Sequence, residues 1–287
     1  MEKYIEKASV LIEALPYIKE FNGKIVVIKY GGSAMTDNSI RAKVIEDIAL
    51  MKYVGMKPVI VHGGGPAINR MLDKVGKKTK FINGMRITDE ETMETVEMVL
   101  SGSVNKNIVN LLAAHNIKTI GISGKDGKLF TAKKLEISEG DLGHVGTLTN
   151  IDTSLLNVLL DNGYTPVIAP IASNTDGDTY NINADMAASA VASALKAQKL
   201  IYISDIPGIL RNREDEKSLI HQTNLKEIEK LKKNGIINGG MIPKVDYAVE
   251  AVKNGVSSVH ILDGRVEHSI LLEIFTKEGI GTLIFSQ

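Results

Sequence analysis

Three short runs of branched apolar residues in this chain end in glycine. Residues 25–29 run into Gly31 and Gly32, residues 58–62 into Gly63, Gly64 and Gly65, and residues 118–122 lead to Gly124. Apolar runs this short suit strands buried on both faces, and glycine after a strand lets the backbone turn sharply and approach a ligand closely. Helical spacing follows over residues 39–53, 89–100 and 105–114, and Pro66 stands where it favours the first turn of a further helix. Such a rhythm implies a mainly parallel sheet joined by right-handed crossovers, with helices on both faces. The expected fold is α/β, a three-layer αβα sandwich around a central, mainly parallel sheet.

The same rhythm fills the second half. Residues 165–169, 199–204, 258–262 and 282–285 read as strands, and residues 184–197, 225–232, 243–253 and 268–275 as helices. Residues 129–132 and 145–150 look like a hairpin arm with a long connection. With no low-complexity linker and no fixed repeat, the two halves are expected to share one sheet, with a soft division near residues 175–185. Ahead of the first strand, Ile5, Ala8, Val10, Leu11, Ile12, Leu15 and Ile18 have the spacing of an amphipathic helix, with a kink or break expected at Pro16. That segment either lies on its own domain or serves as an oligomerisation arm, and its residues do not choose between the two.

Composition narrows the partners. Lysine plus arginine equals aspartate plus glutamate, 34 against 34, so no global charge steers the chain to nucleic acid or anionic lipid. Any anion must be held by local groups. The absence of cysteine excludes disulfides and thiolate metal sites. The start of the chain lacks the basic-then-apolar pattern of a signal peptide, and no run approaches the roughly 18 apolar residues of a membrane span. A soluble cytoplasmic enzyme with no membrane or nucleic-acid partner is expected.

Several polar residues stand at the turns. Lys29 ends the first apolar run beside Gly31 and Gly32, where an ammonium must leave the core and can meet phosphate, or else snorkel at the sheet edge. Neither standard nucleotide fingerprint is present: the stretch from Gly121 to Asp126 lacks Walker spacing, and Gly63-Gly64-Gly65 lacks the third glycine of a dinucleotide motif. Lys244 falls in the first turn of an expected helix after Gly239-Gly240, where a cation opposes the helix dipole unless an anion is near. Asp185, after Asn181 and Asn183, either caps a helix or holds lysines in position. Arg86 follows the turn at Asn83-Gly84 and suits bidentate grip of a carboxylate, or a surface pair with Asp89 or Glu90. His62 has no second histidine or acid at metal-ligand spacing and reads as structural; no protein metal site is expected.

Taken together, the segments VIKYGGSAM, VIVHGGGPAIN, FINGMRITDEETMETVEMVLSGSVNKNIV, GISGKDG, VGTLTNID, YTPVIAPIA, YNINADMAA, SDIPGIL and NGGMIPKV resemble the amino-acid kinase family, over about residues 24–287. FINGMRIT with YNINADMAA is similar to the members that phosphorylate N-acetyl-L-glutamate. The resemblance implies ATP with Mg2+ as phosphoryl donor and a carboxylate acceptor. It implies that Lys29 and Lys244 stabilise the moving phosphoryl group and that Asp185 organises them. Gly31 and Gly32 would meet the ATP phosphates, with Asp205 near the nucleotide. Gly64, Gly65, Arg86 and Asn181 would hold the acyl amino acid. It further implies an N-terminal oligomerisation helix (residues 1–22), an N-lobe for the acid and for dimerisation (23–180) and a C-lobe for ATP (181–287). The tail from His268 resembles that of arginine-inhibited members, which implies a hexamer built as a trimer of dimers and an arginine effector site with His268, Glu273 and Gly279. Alternatives are a kinase for another small acid, which Arg86 and Asn181 would select, or a non-catalytic amino-acid sensor; retention of both lysines disfavours the sensor.

Overall fold

The structure is a computed structural model that describes residues 1–276 and 279–286. Helix α1 (Glu2–Phe21) leads into strand β1 (Ile25–Tyr30), then α2 (Asn38–Tyr53), β2 (Lys57–His62) and α3 (Gly65–Lys74). A small hairpin, β3 (Phe81–Ile82) with β4 (Met85–Arg86), turns at Asn83-Gly84, both residues having positive φ. Next come α4 (Glu90–Glu97), α5 (Asn105–Ala114), β5 (Thr119–Ser123), β6 (Phe130–Lys134), β7 (Val145–Ile151), α6 (Ser154–Asp161), β8 (Thr165–Ala169), β9 (Ile171–Ser173) and β10 (Thr179–Ile182). The remainder is α7 (Ala184–Ala194), β11 (Lys199–Ser204), β12 (Gln222–Asn224), α8 (Leu225–Lys233), α9 (Met241–Lys253), β13 (Ser258–Asp263), α10 (Ser269–Ile274) and β14 (Thr282–Phe285).

Eight strands form one sheet in the order β12-β14-β13-β11-β1-β2-β8-β5, parallel except where β14 meets β13. Strand β1 pairs with β2 on one side and β11 on the other, so both halves of the chain do share one sheet. The αβα expectation holds, because successive residues of the central strands feed opposite cores. Val27, Val59, Val61, Leu200 and Tyr202 join the core on one face, and Val26, Ile28, Ile60, Ile201 and Ile203 the core on the other. Fully burying such a side chain contributes about 1.5–3 kcal/mol, which explains why these strands read as unbroken apolar runs. Ligands in sheets of this type collect beyond the carboxyl ends of the strands, where Lys29, His62 and Ser204 lie.

Some expectations change. Helix α1 runs without a break through Pro16. The helices expected at 89–100 and 105–114 are one rod, because a π-helical stretch, Met98–Val104, joins α4 to α5 with helical backbone at the junctions. The widened turn carries the helical hydrogen bonding through Gly102, where a break would otherwise be read. The arm at 129–132 and 145–150 is an antiparallel pair, β6 with β7, and it closes with β9 and β10 into a four-stranded barrel. Helix α7 stops at Ala194, short of the expected Ala197. Among the described residues no helix is long and apolar enough to cross a membrane.

Candidate active site

The centre of the site is one carboxylate between two ammonium groups. Lys29 leaves β1 on the same face as Val27, and Tyr202 is its register partner on β11. Asp185 stands in the first turn of α7, whose Ala187, Ala188, Val191 and Ala192 are fully buried. Small side chains let this helix lie close to the sheet, which brings Asp185 within reach of Lys29. Asn183 caps the helix, its side chain accepting from the Asp185 and Met186 amides at 2.8 and 3.1 Å. Asp185 is therefore not the cap and is available to the lysines. Lys244 in α9 donates to Asp185 Oδ2 at 2.7 Å, and Lys29 Nζ stands 3.1 Å from Oδ1 in a charge contact without hydrogen-bond alignment.

These three side chains are 11–17% exposed, so they are shielded from bulk solvent yet open to a ligand. Burial opposes ionisation of Asp185, but Lys29 and Lys244 outweigh it and hold the carboxyl below its ordinary range. Burial likewise pulls the Lys244 ammonium below its ordinary value, with Asp185 pulling the other way. Asp205 also acts on Lys244, with a weaker pull than Asp185. Tyr202 supports this centre from beneath: its hydroxyl donates to the Asp185 carbonyl at 3.1 Å, and Lys244 Nζ lies 5.1 Å from its ring centroid.

The turn after β1 shows why glycine is needed there. A Cβ at Gly31 would sit 2.5 Å from Lys29 Nζ, and one at Gly32 would sit 2.5 Å from Asp205 Oδ1, with φ at +68°. A side chain at Gly31 would displace the end of Lys29, and one at Gly32 would displace Asp205 and also strain a left-handed backbone. A cavity of 600 Å³ opens next to them, lined by Asp205, Gly208, Arg213, Met241, Lys244 and Arg265 among others. Its size suits a nucleotide. Among the described residues no three metal-ligating side chains cluster. With Asp205 and Glu216 the carboxylates on its lining, the cavity fits a Mg2+ ion carried in on nucleotide phosphates rather than one caged by protein.

A second cavity of 240 Å³ reaches α7's first turn and is lined by Gly64, Gly65, Arg86, Asn181, Ala184 and Tyr247 among others. The four substrate candidates from the sequence thus share one cavity. Arg86 is only 8% exposed, and burial depresses the pKa of its guanidinium. It does not pair with Asp89 or Glu90: Asp89 pairs with Lys77 at 2.6 Å and accepts from the Thr92 amide. His62 is structural, as expected. Its buried ring contacts Asn105 and the Gly63 carbonyl, and burial pushes its pKa down to about 4.

The tail residues divide. Glu273 and Gly279 line a third cavity of 490 Å³ with Tyr17, Phe21, Lys199 and His260. There His260 Nδ1 lies 2.7 Å from Glu273 Oε1, and Lys199 Nζ lies 3.0 Å from His260 Nε2. His268 is not on that lining; its Nδ1 meets Asp47 Oδ1 at 2.6 Å, tying α10 to α2. Sequence reasoning missed Asn69, Phe81, Tyr202, Lys199 and His260. Tyr202 and His260 left a signal, each as a polar group inside an apolar run.

A model of the amino acid kinase family matches residues 24–263. The chain is 55% identical over 280 residues to an acetylglutamate kinase of Thermoanaerobacter pseudethanolicus, covering 98% of this chain and 93% of the relative. It is 54% identical over 292 residues to that of Carboxydothermus hydrogenoformans, covering 99% of each. Among solved structures it is similar to N-acetylglutamate synthase of Neisseria gonorrhoeae complexed with coenzyme A and N-acetyl-glutamate. The TM-score is 0.86 at 27% identity, over 98% of this chain and 63% of that one.

Proposed function

The chain belongs to the amino acid kinase family, and from that membership we propose that it transfers the γ-phosphoryl group of ATP to the side-chain carboxylate of N-acetyl-L-glutamate. The product is N-acetyl-L-glutamyl 5-phosphate, an intermediate of arginine biosynthesis. The observation that carries this reading is the Lys29–Asp185–Lys244 centre, whose Lys244 lines a nucleotide-sized cavity while the chain neighbours of Asp185, Ala184 and Met186, line a smaller one with Arg86.

The acceptor carboxylate is already ionised at neutral pH, since its reference pKa is about 4.3, so no general base is required. What the reaction needs is relief of repulsion between two anions in an in-line displacement. Lys29 and Lys244 supply positive charge, and Asp185 fixes their positions so that little reorganisation accompanies the transfer. Gly31 and Gly32 offer backbone N–H groups to the phosphates, and Asp205 orients the nucleotide end. Mg2+ bound to ATP would neutralise the phosphate oxygens. Arg86 and Asn181 hold the non-reacting end of the acid, and Gly64 and Gly65 line its acyl side. In this reading residues 23–180 form the acid-binding lobe and residues 181–287 the ATP-binding lobe.

The test is to incubate protein, Mg-ATP and each of a set of acids with hydroxylamine, which traps an acyl phosphate as a hydroxamate. Hydroxamate should form with N-acetyl-L-glutamate and be reduced at least about tenfold with glutamate or aspartate, given the 1.4 kcal/mol per decade that one lost polar contact commonly costs. Preference for a non-acetylated acid would reject the substrate, and no hydroxamate with any acid would reject the activity.

The same proposal includes regulation. We place an inhibitory arginine in the 490 Å³ cavity, whose lining carries the Glu20 and Glu273 carboxylates, with Gly279 beside Glu273. His268 acts through its contact with Asp47, which anchors α10 and hence Glu273. We also propose a cytoplasmic hexamer, a trimer of dimers linked through α1. That helix exposes Tyr4, Ile5, Val10, Ile12 and Leu15, and it also brings Tyr17 and Glu20 to the effector cavity. Deleting residues 1–20 should therefore do two things together: reduce a hexamer to a dimer by light scattering, and remove inhibition by arginine while turnover persists. An unchanged mass, or undiminished inhibition, contradicts the corresponding part.

A further inference from the structure

Arg86 is held firmly but left uncancelled. Its Nη2 donates to Asn69 Oδ1 at 2.6 Å and makes a longer contact with the Gly65 carbonyl at 3.5 Å. Its guanidinium lies 5.0 Å from the centroid of the Phe81 ring. The other terminal nitrogen, Nη1, is buried with no hydrogen-bond partner. Among the described residues no carboxylate pairs with it, and burial alone shifts its pKa. A buried cation served only by neutral acceptors and an aromatic face is costly unless a ligand completes it. It lines the 240 Å³ cavity, so the missing anion is a ligand's.

Resting on the function proposed above, we propose that Asn69 is a positioning residue that sets the specificity of this site for acids carrying a second, non-reacting carboxylate. Asn69 lies in α3, four residues after Gly65, so both face the same side of the helix and Asn69 stands behind the cavity wall that Gly65 forms. Its amide oxygen fixes one edge of the guanidinium and thereby holds the cation in place on the cavity lining. Because that oxygen is neutral, it orients Arg86 without consuming the charge. An aspartate of the same shape would hold the arginine equally well but would take its bidentate face and cancel its field.

The experiment is steady-state kinetics with two substrates, N-acetyl-L-glutamate and its α-carboxamide analogue N-acetyl-L-isoglutamine, which keeps the reacting carboxylate. For Asn69→Ala, KM for acetylglutamate should rise about tenfold, the loss of one hydrogen bond to a charged group, with kcat within about twofold. KM for the amide should stay within about twofold. For Asn69→Asp, which preserves shape, KM for acetylglutamate should rise further than in the alanine variant, and the preference for acid over amide should fall. An Asn69→Asp enzyme with the wild-type KM overturns the proposal, as does an Asn69→Ala enzyme that changes both substrates alike. Failure of the wild-type chain to phosphorylate acetylglutamate at all would instead overturn the proposed function, so the two failures are distinguishable.

Discussion

Replacing Lys244 by alanine is expected to lower kcat by about 10²- to 10³-fold while the chain stays folded, the range found when one preorganised group facing a developing negative charge is removed. The fold tolerates the change because Asp185 keeps its contact with Lys29. In addition, a cation in the first turn of α9 opposes the helix dipole, so removing it costs the helix nothing locally. Lys29→Ala should behave similarly. ADP release in a coupled assay measures the loss, and circular dichroism checks the fold. Turnover within tenfold of wild type in both variants would remove the two lysines from the mechanism.

Asp185→Ala should be damaging in a different way. It leaves two largely buried ammonium groups facing each other with no anion between them, and breaking a buried pair from one side costs about 3–5 kcal/mol. Because the lysines hold the Asp185 pKa below its ordinary 3.8, its contribution is present above that value and is lost as pH falls through the lower folded one. Urea unfolding at pH 7 should therefore show the full loss. Saturating Mg-ATP should stabilise the variant more than the wild type, since phosphate oxygens replace the missing carboxylate. An unfolding free energy within about 1 kcal/mol of wild type, the usual size of an ordinary substitution, would mean that Asp185 does not hold the lysines together.

How much was legible in the sequence differs by residue. Lys244 carried a local sign of its role, a cation where a helix start disfavours one. Lys29 carried another, a lysine closing an apolar run beside glycines. Arg86 was ambiguous between a ligand and Asp89 because adjacent residues in the chain are always available as partners on paper. The structure gives Asp89 to Lys77 and buries Arg86. Asp185 was ambiguous with a cap until Asn183 took that position. The π-helical junction at Met98–Val104 was invisible because a widened turn leaves no distinctive period. For His268, the resemblance of the tail implied a site shared with Glu273, yet the two side chains meet different neighbours.

Residue periodicity and turn chemistry alone determined that this chain makes a mainly parallel α/β sheet with glycine turns at the strand ends. Those signals are local: each strand reports its own burial on two faces, and each glycine its own backbone. Which groups meet was decided only by strand order. Placing β1 between β2 and β11 sets α7 against the central strands and lets α9 deliver Lys244 to the carboxylate that already faces Lys29. Asn69 likewise meets Arg86 only because α3 packs beside the β3–β4 hairpin. Contacts between distant segments are set by crossovers and packing, and these leave no period in the chain to read.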